Sequence, residues 1–179
     1  MIFEPFKPYV PSEFRIKYAV DGWEHAGAAR LRREVFCEEQ KIFSGDDCDD
    51  IDRVASTLVA ISYMGVAPID VVGTVRIHEA EPGVWWGSRL AVSAECRRIG
   101  ALGTGLIKLA VSSAHARGSR RFLAHVQSQN GLLFQRLNWK IIQPVELHGH
   151  AHFLMEADLD HYPPFVDVDT GFHAMAKAA

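Results

Sequence analysis

The sequence lacks the marks of several protein classes. No apolar run is long enough to span a membrane. Three cysteines, Cys37, Cys48 and Cys96, are odd in number, show no C-x-x-C spacing and accompany no secretory leader, so the expectation is a reduced, cytoplasmic protein and not a disulfide scaffold. Basic residues form no long patch beyond Arg30, Arg32 and Arg33 and the pair Arg97–Arg98, and the net charge is -3, which argues against a nucleic-acid partner. Neither a G-x-G-x-x-G fingerprint nor a Gly-Lys-Ser/Thr phosphate loop is present. The carboxylates between Ser44 and Arg53 lack the glycine and distal glutamate of a calcium loop.

What is there fits one globular domain: 179 residues, 48% of them hydrophobic, can bury a sizeable core. The chain is organised around Trp85 to Gly118. An apolar extended run ending in Leu90, Ala91 and Val92 gives way to a basic, glycine-rich turn, and Leu106, Leu109, Ala110 and Ser113 then recur at helical spacing up to Gly118. A helix whose first turn is nearly stripped of side chains presents free backbone amides at its positive dipole end. With Arg97 and Arg98 beside it, such a turn is shaped to hold a phosphate.

The remaining segments fall into order around that unit. Pro5, Pro8 and Pro11 predict an extended arm over residues 1–13. Phe14 to Val20 alternates as a first strand, and Trp23 to Phe43 reads as a helix with Ala28, Leu31, Val35 and Phe36 inward. The acidic loop 44–53 is expected to be solvated, although it could also attract a cationic amine. Thr57 to Tyr63, Asp70 to Glu79 and the strand at Trp85 form an antiparallel meander. Arg121 to Gln127 is a further strand, parallel to the one at Trp85 because a helix crosses between them. Asn130 is placed to cap a short helix, and Trp139 to Leu147 and His150 to Leu159 form a hairpin turning at Gly149. His148, His150 and His152 share one strand face, but no compact set of further ligands joins them, and no metal is expected. Beyond Tyr162 the tail, with Pro163 and Pro164, is expected to be extended and packed late, or frayed.

Three stretches together resemble the GCN5-related N-acetyltransferases. Arg98-Ile99-Gly100-Ala101-Leu102-Gly103, followed by Thr104 and Gly105, is similar to the family's Gln/Arg-x-x-Gly-x-Gly/Ala acyl-CoA loop, with Ala101 where the first glycine is usual. The run from Asn130 to Trp139 follows the Asn-x-x-x-Tyr-x-x-Leu-Gly-Phe layout, with Phe134 for the tyrosine and Asn138 for the glycine. Arg32, Val35, Phe36, Glu39 and Gln40 resemble the first helix of some members and of the acyl-homoserine-lactone synthases, where that pattern lines the acceptor end of the cleft.

The resemblance spans about residues 14–160, leaving 161–179 as a tail. It implies a mixed α/β fold: a mostly antiparallel sheet with one splayed parallel strand pair, flanked by helices. It implies acetyl-CoA as co-substrate, bound by Leu90, Ala91 and Val92, by the loop from Arg97 to Gly105, and by Asn130 and Phe134. The acceptor would be a small amine near Phe36, Glu39, Gln40, Ser88, Gln127 and His152, with His125 or Glu39 as base and no nucleic-acid or membrane partner. Family habit also implies a homodimer. A non-catalytic acyl-CoA sensor and an acyl-homoserine-lactone-synthase-like enzyme are the alternatives. Gly103→Glu puts bulk and negative charge at the phosphate site and should abolish CoA binding; unchanged CoA affinity in a folded variant would contradict the loop assignment.

Overall fold

The computed structural model describes residues 10–176, so most of the expected N-terminal arm lies outside the described residues. The chain builds β1 (Glu13–Tyr18), α1 (Gly22–Arg32), β2 (Ser56–Met64), β3 (Ala67–Glu81), β4 (Val84–Val92), α2 (Gly100–Ala116), β5 (Arg121–Gln127), α3 (Gly131–Arg136), β6 (Trp139–Leu147), β7 (His150–Ala157) and β8 (Phe172–Met175). The eight strands form one sheet in the order β6-β7-β5-β4-β3-β2-β1-β8. Only β4 and β5 run parallel, as a helical crossover requires.

Helices cover both faces. On one, Leu102, Leu106 and Leu109 of α2 pack with Phe14, Ile16, Leu58, Ile77, Trp85 and Phe122; each leucine so buried stabilises the fold by about 1.5–3 kcal/mol. On the other, Ala28 of α1 meets Val59, Ile61 and Val71, and Leu31, Val35 and Phe36 meet Ala91. Both helices sit close on the sheet because glycine lies at the contact. A Cβ on Gly27 would fall 2.6 Å from a Val71 methyl, and one on Gly73 would fall 2.9 Å from Leu106.

The helix read over 23–43 is two structures. The α-helix ends at Arg32, and residues Arg33–Glu39 continue as a π-helical turn, closed where the Gln40 N–H donates to the Val35 carbonyl at 2.9 Å. The tail takes the packed of its two expected forms. Tyr162 is buried, its hydroxyl accepting from the Trp139 indole at 3.0 Å, and β8 pairs antiparallel with β1. The apolar side chains of Phe165, Val168 and Phe172 pack on the main core, which explains why this segment is held.

The acidic loop also departs from expectation. It folds back on the sheet, and its carboxylates meet arginines from α1, β3 and β4. Asp47, 3% exposed, accepts from Arg32 Nε at 2.7 Å and Arg89 Nε at 2.8 Å. Asp49 takes both terminal nitrogens of Arg76, at 2.6 and 2.7 Å, and Asp52 takes Arg32 at 2.7 Å and Arg76 at 2.8 Å. Arg76 is 2% exposed inside an otherwise apolar stretch of β3, so the loop must follow it inward. Hydrogen bonds from Arg76 hold the Asp49 carboxyl below its ordinary value. Burial pushes Asp52 up, but hydrogen bonds from Arg32 and Arg76 and from the Asp49 amide outweigh it and leave the carboxyl far below its ordinary value.

Two outcomes follow from the network. Asp47→Ala leaves Arg32 and Arg89 short of a buried counter-charge and should cost about 3–5 kcal/mol in urea unfolding, where a loss within the noise of a surface substitution contradicts this role. Because Asp49 and Asp52 titrate lower folded than unfolded, the unfolded chain binds more protons in acid. Their contribution is complete above the ordinary carboxylate value of 3.8 and is lost as pH falls below it. The urea midpoint of an Asp49→Asn/Asp52→Asn double variant should accordingly drop less between about pH 5 and about pH 3 than that of the parent protein.

Candidate functional site

The site begins where two strands stop pairing. Val84, Trp85, Trp86 and Gly87 of β4 pair with Arg121, Phe122, Leu123 and Ala124 of β5, and no later residue of either strand does. Ser88, Ala91 and Val92 stay paired to β3, and His125 to Gln127 stay paired to β7. The two strands therefore part at their carboxyl ends, and the backbone groups facing the gap are left for a guest that can hydrogen-bond like a strand.

A bulge in β4 turns it away. Arg89 and Leu90 oppose the single residue Val75, between the pairs Thr74–Ala91 and Arg76–Ser88, and Arg89 holds a left-handed φ of 56°. That costly backbone is clamped by its side chain. Arg89 bonds the Asp47 carboxylate and carbonyl and lies over the Phe43 ring at 4.4 Å, with Phe36 at 5.9 Å. Burial, then the nearby Arg76 charge, lower its pKa. Ser88 Oγ accepts from Arg76 Nε at 2.8 Å, so this serine belongs to the scaffold of the bulge.

Beyond β4 the chain makes one tight turn, Ala94–Cys96, and enters α2 at Gly100. The first turn of α2 holds no acidic side chain, Arg98 is exposed beside it, and a Cβ on Gly100 or Gly103 would meet nothing within 4 Å. A pyrophosphate fits this open helix start by charge and by room. No residue from Arg97 to Gly105 needs positive φ, so Ala101 sits in its place without strain. Ile99 and Thr104 are half-buried, whereas Leu102 is fully buried in the core and Gly105 packs on Ile16 and Phe172; these last two support the helix from behind.

The residues expected on the acceptor side fall on the opposite face of the sheet from α2. Gln40 Oε1 accepts from Gln127 Nε2 at 3.0 Å, joining the end of the π-helical turn to the end of β5. Its neighbour Glu39 is bound through both carboxylate oxygens by Arg97, which also donates from Nε to the Val92 carbonyl at 3.1 Å. The Arg97 guanidinium holds Glu39 below the usual carboxylate range, so the carboxylate is not poised as a base in this state.

His125 projects from β5 on the same face, its ring 5.0 Å from that of Trp86. The residue is exposed, yet surrounding protein and the nearby His152 push its pKa below the ordinary 6.5. His152 is nearly buried, its Nδ1 2.9 Å from the His150 carbonyl oxygen, and His148 stacks edge-on against Phe43 at 5.0 Å. Among the described residues no group of three or more His, Cys, Asp or Glu is arranged to hold a metal.

On the α2 face, Phe134 is buried edge-on against Trp139 at 5.0 Å. Asn130 closes a short 3-10 turn before α3 and makes no side-chain capping bond, a correction to the expected cap. Asn138 does adopt the left-handed φ of 63° expected where glycine is usual. An open hollow of about 580 Å³ on the outer flank of the π-helical turn, touching Arg33, Cys37, Glu38 and Lys41, shares no residue with the parted strands.

Arg76, Arg89 and Asp47 were not singled out from sequence, yet they fix the bulge. A lone arginine within Val71–Ile77 was the available signal, since a charge in a buried strand needs a partner.

Comparison with known proteins agrees with this geometry. No curated protein matches the chain in sequence. A candidate N-acetyltransferase from Lactobacillus plantarum, 20% identical, superposes with a TM-score of 0.69 over 80% of this chain and 97% of that one. An acyl-CoA N-acyltransferase from Pseudomonas aeruginosa is 18% identical, with a TM-score of 0.64 over 81% and 99%. The CoA-dependent acyl-homoserine lactone synthase BjaI, with SAM and isopentyl-CoA, is also 18% identical, with a TM-score of 0.63 over 81% and 83%. These likenesses carry the fold alone. The acetyltransferase (GNAT) family model matches residues 26–133, from α1 through the parted strands and α2 into α3, and on that match the chain belongs to this family of acyltransferases.

Proposed function

We propose that this protein transfers an acetyl group from acetyl-CoA to the amine of a small molecule by direct attack within a ternary complex. The observation that carries the reading is the parting of β4 and β5 in front of the open start of α2. The pantetheine arm would lie in the gap, bonded to backbone groups of Leu90 to Val92, with the thioester carbonyl polarised there. The pyrophosphate would take the amides of the first turn of α2 with Arg97 and Arg98.

An ammonium acceptor with a pKa of about 10.4 must lose a proton, which costs roughly 4–5 kcal/mol at neutral pH, whereas protonating the departing thiolate, near pKa 8.5, gains only about 2 kcal/mol. A base therefore matters more than an acid. His125 is the group best disposed for it. Its lowered pKa keeps the neutral, proton-accepting form at neutral pH, and it stands on β5 where pairing to β4 ends. His125 would take the ammonium proton, directly or through a water; the neutral nitrogen would then attack the thioester carbon, and the second proton, shed as the amide forms, would leave with CoA as the thiol.

The acidic loop lends little support to a cationic acceptor. Three of its five carboxylates, Asp47, Asp49 and Asp52, are matched by Arg32, Arg76 and Arg89, whereas Asp46 and Asp50 stay exposed. A second reading, an acyl-CoA sensor without turnover, draws on Phe134, which offers no hydroxyl to a leaving thiolate. A third reading, an acyl-homoserine-lactone-synthase-like enzyme, draws on the resemblance at residues 32–40 and would consume S-adenosylmethionine.

Calorimetric titration with acetyl-CoA, followed by thiol release against a panel of small amines that includes S-adenosylmethionine, separates the three. Amine-dependent release is expected. Binding without release from any amine supports the sensor, and release with S-adenosylmethionine alone supports the third reading. In the transferase, His125→Ala should lower kcat by about 100-fold or more. The acid limb of kcat/KM in the parent should lie below 6.5, since protonating His125 removes the base. A pH profile unchanged by His125→Ala would assign the base elsewhere.

A further inference from the structure

Two consecutive side chains at the end of the π-helical turn reach the two strands that part. Glu39 is bound to Arg97, which follows β4, and Gln40 is bound to Gln127, which ends β5. Gln127 in turn accepts from Gln129 at 3.1 Å, and the turn itself is closed by the Gln40 N–H on Val35. One short segment is thus pinned to both walls of the gap, on the face where the acceptor would enter.

The two pins differ in kind. Gln40–Gln127 is a neutral, half-buried bond between strand end and turn. Glu39–Arg97 is an ion pair with side chains 44% and 40% exposed, of the sort that water and salt keep weak. Its arginine belongs to the loop that faces the open start of α2. A pyrophosphate bound there brings more negative charge than one carboxylate, with helix amides and Arg98 in addition. Turning Arg97 to a pyrophosphate there would take from Glu39 the two terminal nitrogens that hold it.

We propose that Glu39 is an internal competitor for the acyl-CoA pyrophosphate at Arg97, and that acyl-CoA binding hands the released carboxylate to the acceptor. The guanidinium turns from Glu39 to the phosphates. Glu39, still carried by a turn pinned through Gln40, then faces an amine with no cation of the protein neutralising it, and holds the ammonium until it is deprotonated. The inference rests on the proposed transferase reading and adds to it a release of Glu39 triggered by acyl-CoA.

The test is a calorimetric cycle with acetyl-CoA on the parent, Glu39→Gln, Arg97→Gln and the double variant, with the amine KM measured for the parent and Glu39→Gln. Glu39→Gln should bind acetyl-CoA about two- to fivefold more tightly, the range an exposed ion pair supplies. In the Arg97→Gln background the same change should have no effect, because the contested group is gone. The amine KM should rise several-fold in Glu39→Gln. Unchanged or weaker acetyl-CoA binding by Glu39→Gln overturns the competition, and so does an equal gain in the Arg97→Gln background, which would be charge repulsion at a distance. An unchanged amine KM overturns the hand-over. A parent protein that does not bind acetyl-CoA would instead sink the transferase reading itself, a result the variant ratios cannot mimic.

Discussion

Everything at the candidate site depends on a parallel strand pair that stops after four residue pairs. A strand with unused backbone groups beside a gap is a liability unless something fills it, because each unpaired donor or acceptor kept from water costs as much as a lost hydrogen bond. Here both strands keep their outer partners, β3 and β7, so the gap is held open by the sheet and does not arise from fraying. The same parting sets the direction of the site. It opens toward α2's first turn on one side and toward the π-helical turn on the other.

The parting is maintained by charges that lie far apart in sequence. Arg89 keeps the bulge of β4, and Asp47 keeps Arg89 while also holding Arg32 of α1. Arg76 holds Ser88 on the same strand and draws Asp49 and Asp52 inward. Helix, loop and bulge are in this way one electrostatic unit. Its pairing of three arginines with three aspartates makes the loop a structural strap, whereas Glu39 pairs with Arg97 on the turn between β4 and α2.

Local chemistry made much of this legible in the sequence. The strand, basic turn and helix from Trp85 to Gly118 stand where the pattern put them, and Gly118, Asn138 and Gly149 take the left-handed geometry their turns need. The order of strands and the single parallel pair follow from which connections are short and which carry a helix. What escaped the reading was non-local. The partners of Asp47 lie 15 and 42 positions away, so its loop read as solvated. The π-helical turn repeats no apolar spacing of its own, and β8 is a strand because β1 offers it an edge, a fact of the tertiary structure alone.

The central claim is that the backbone of the parted strands is the seat of acyl-CoA. Amide hydrogen exchange over residues 88–92 and 125–127, with and without acetyl-CoA, tests it most directly. The account predicts marked protection of 88–92 on addition of acetyl-CoA, together with the first turn of α2, and little change in β1 or β2. Protection elsewhere with 88–92 exchanging as before would contradict it.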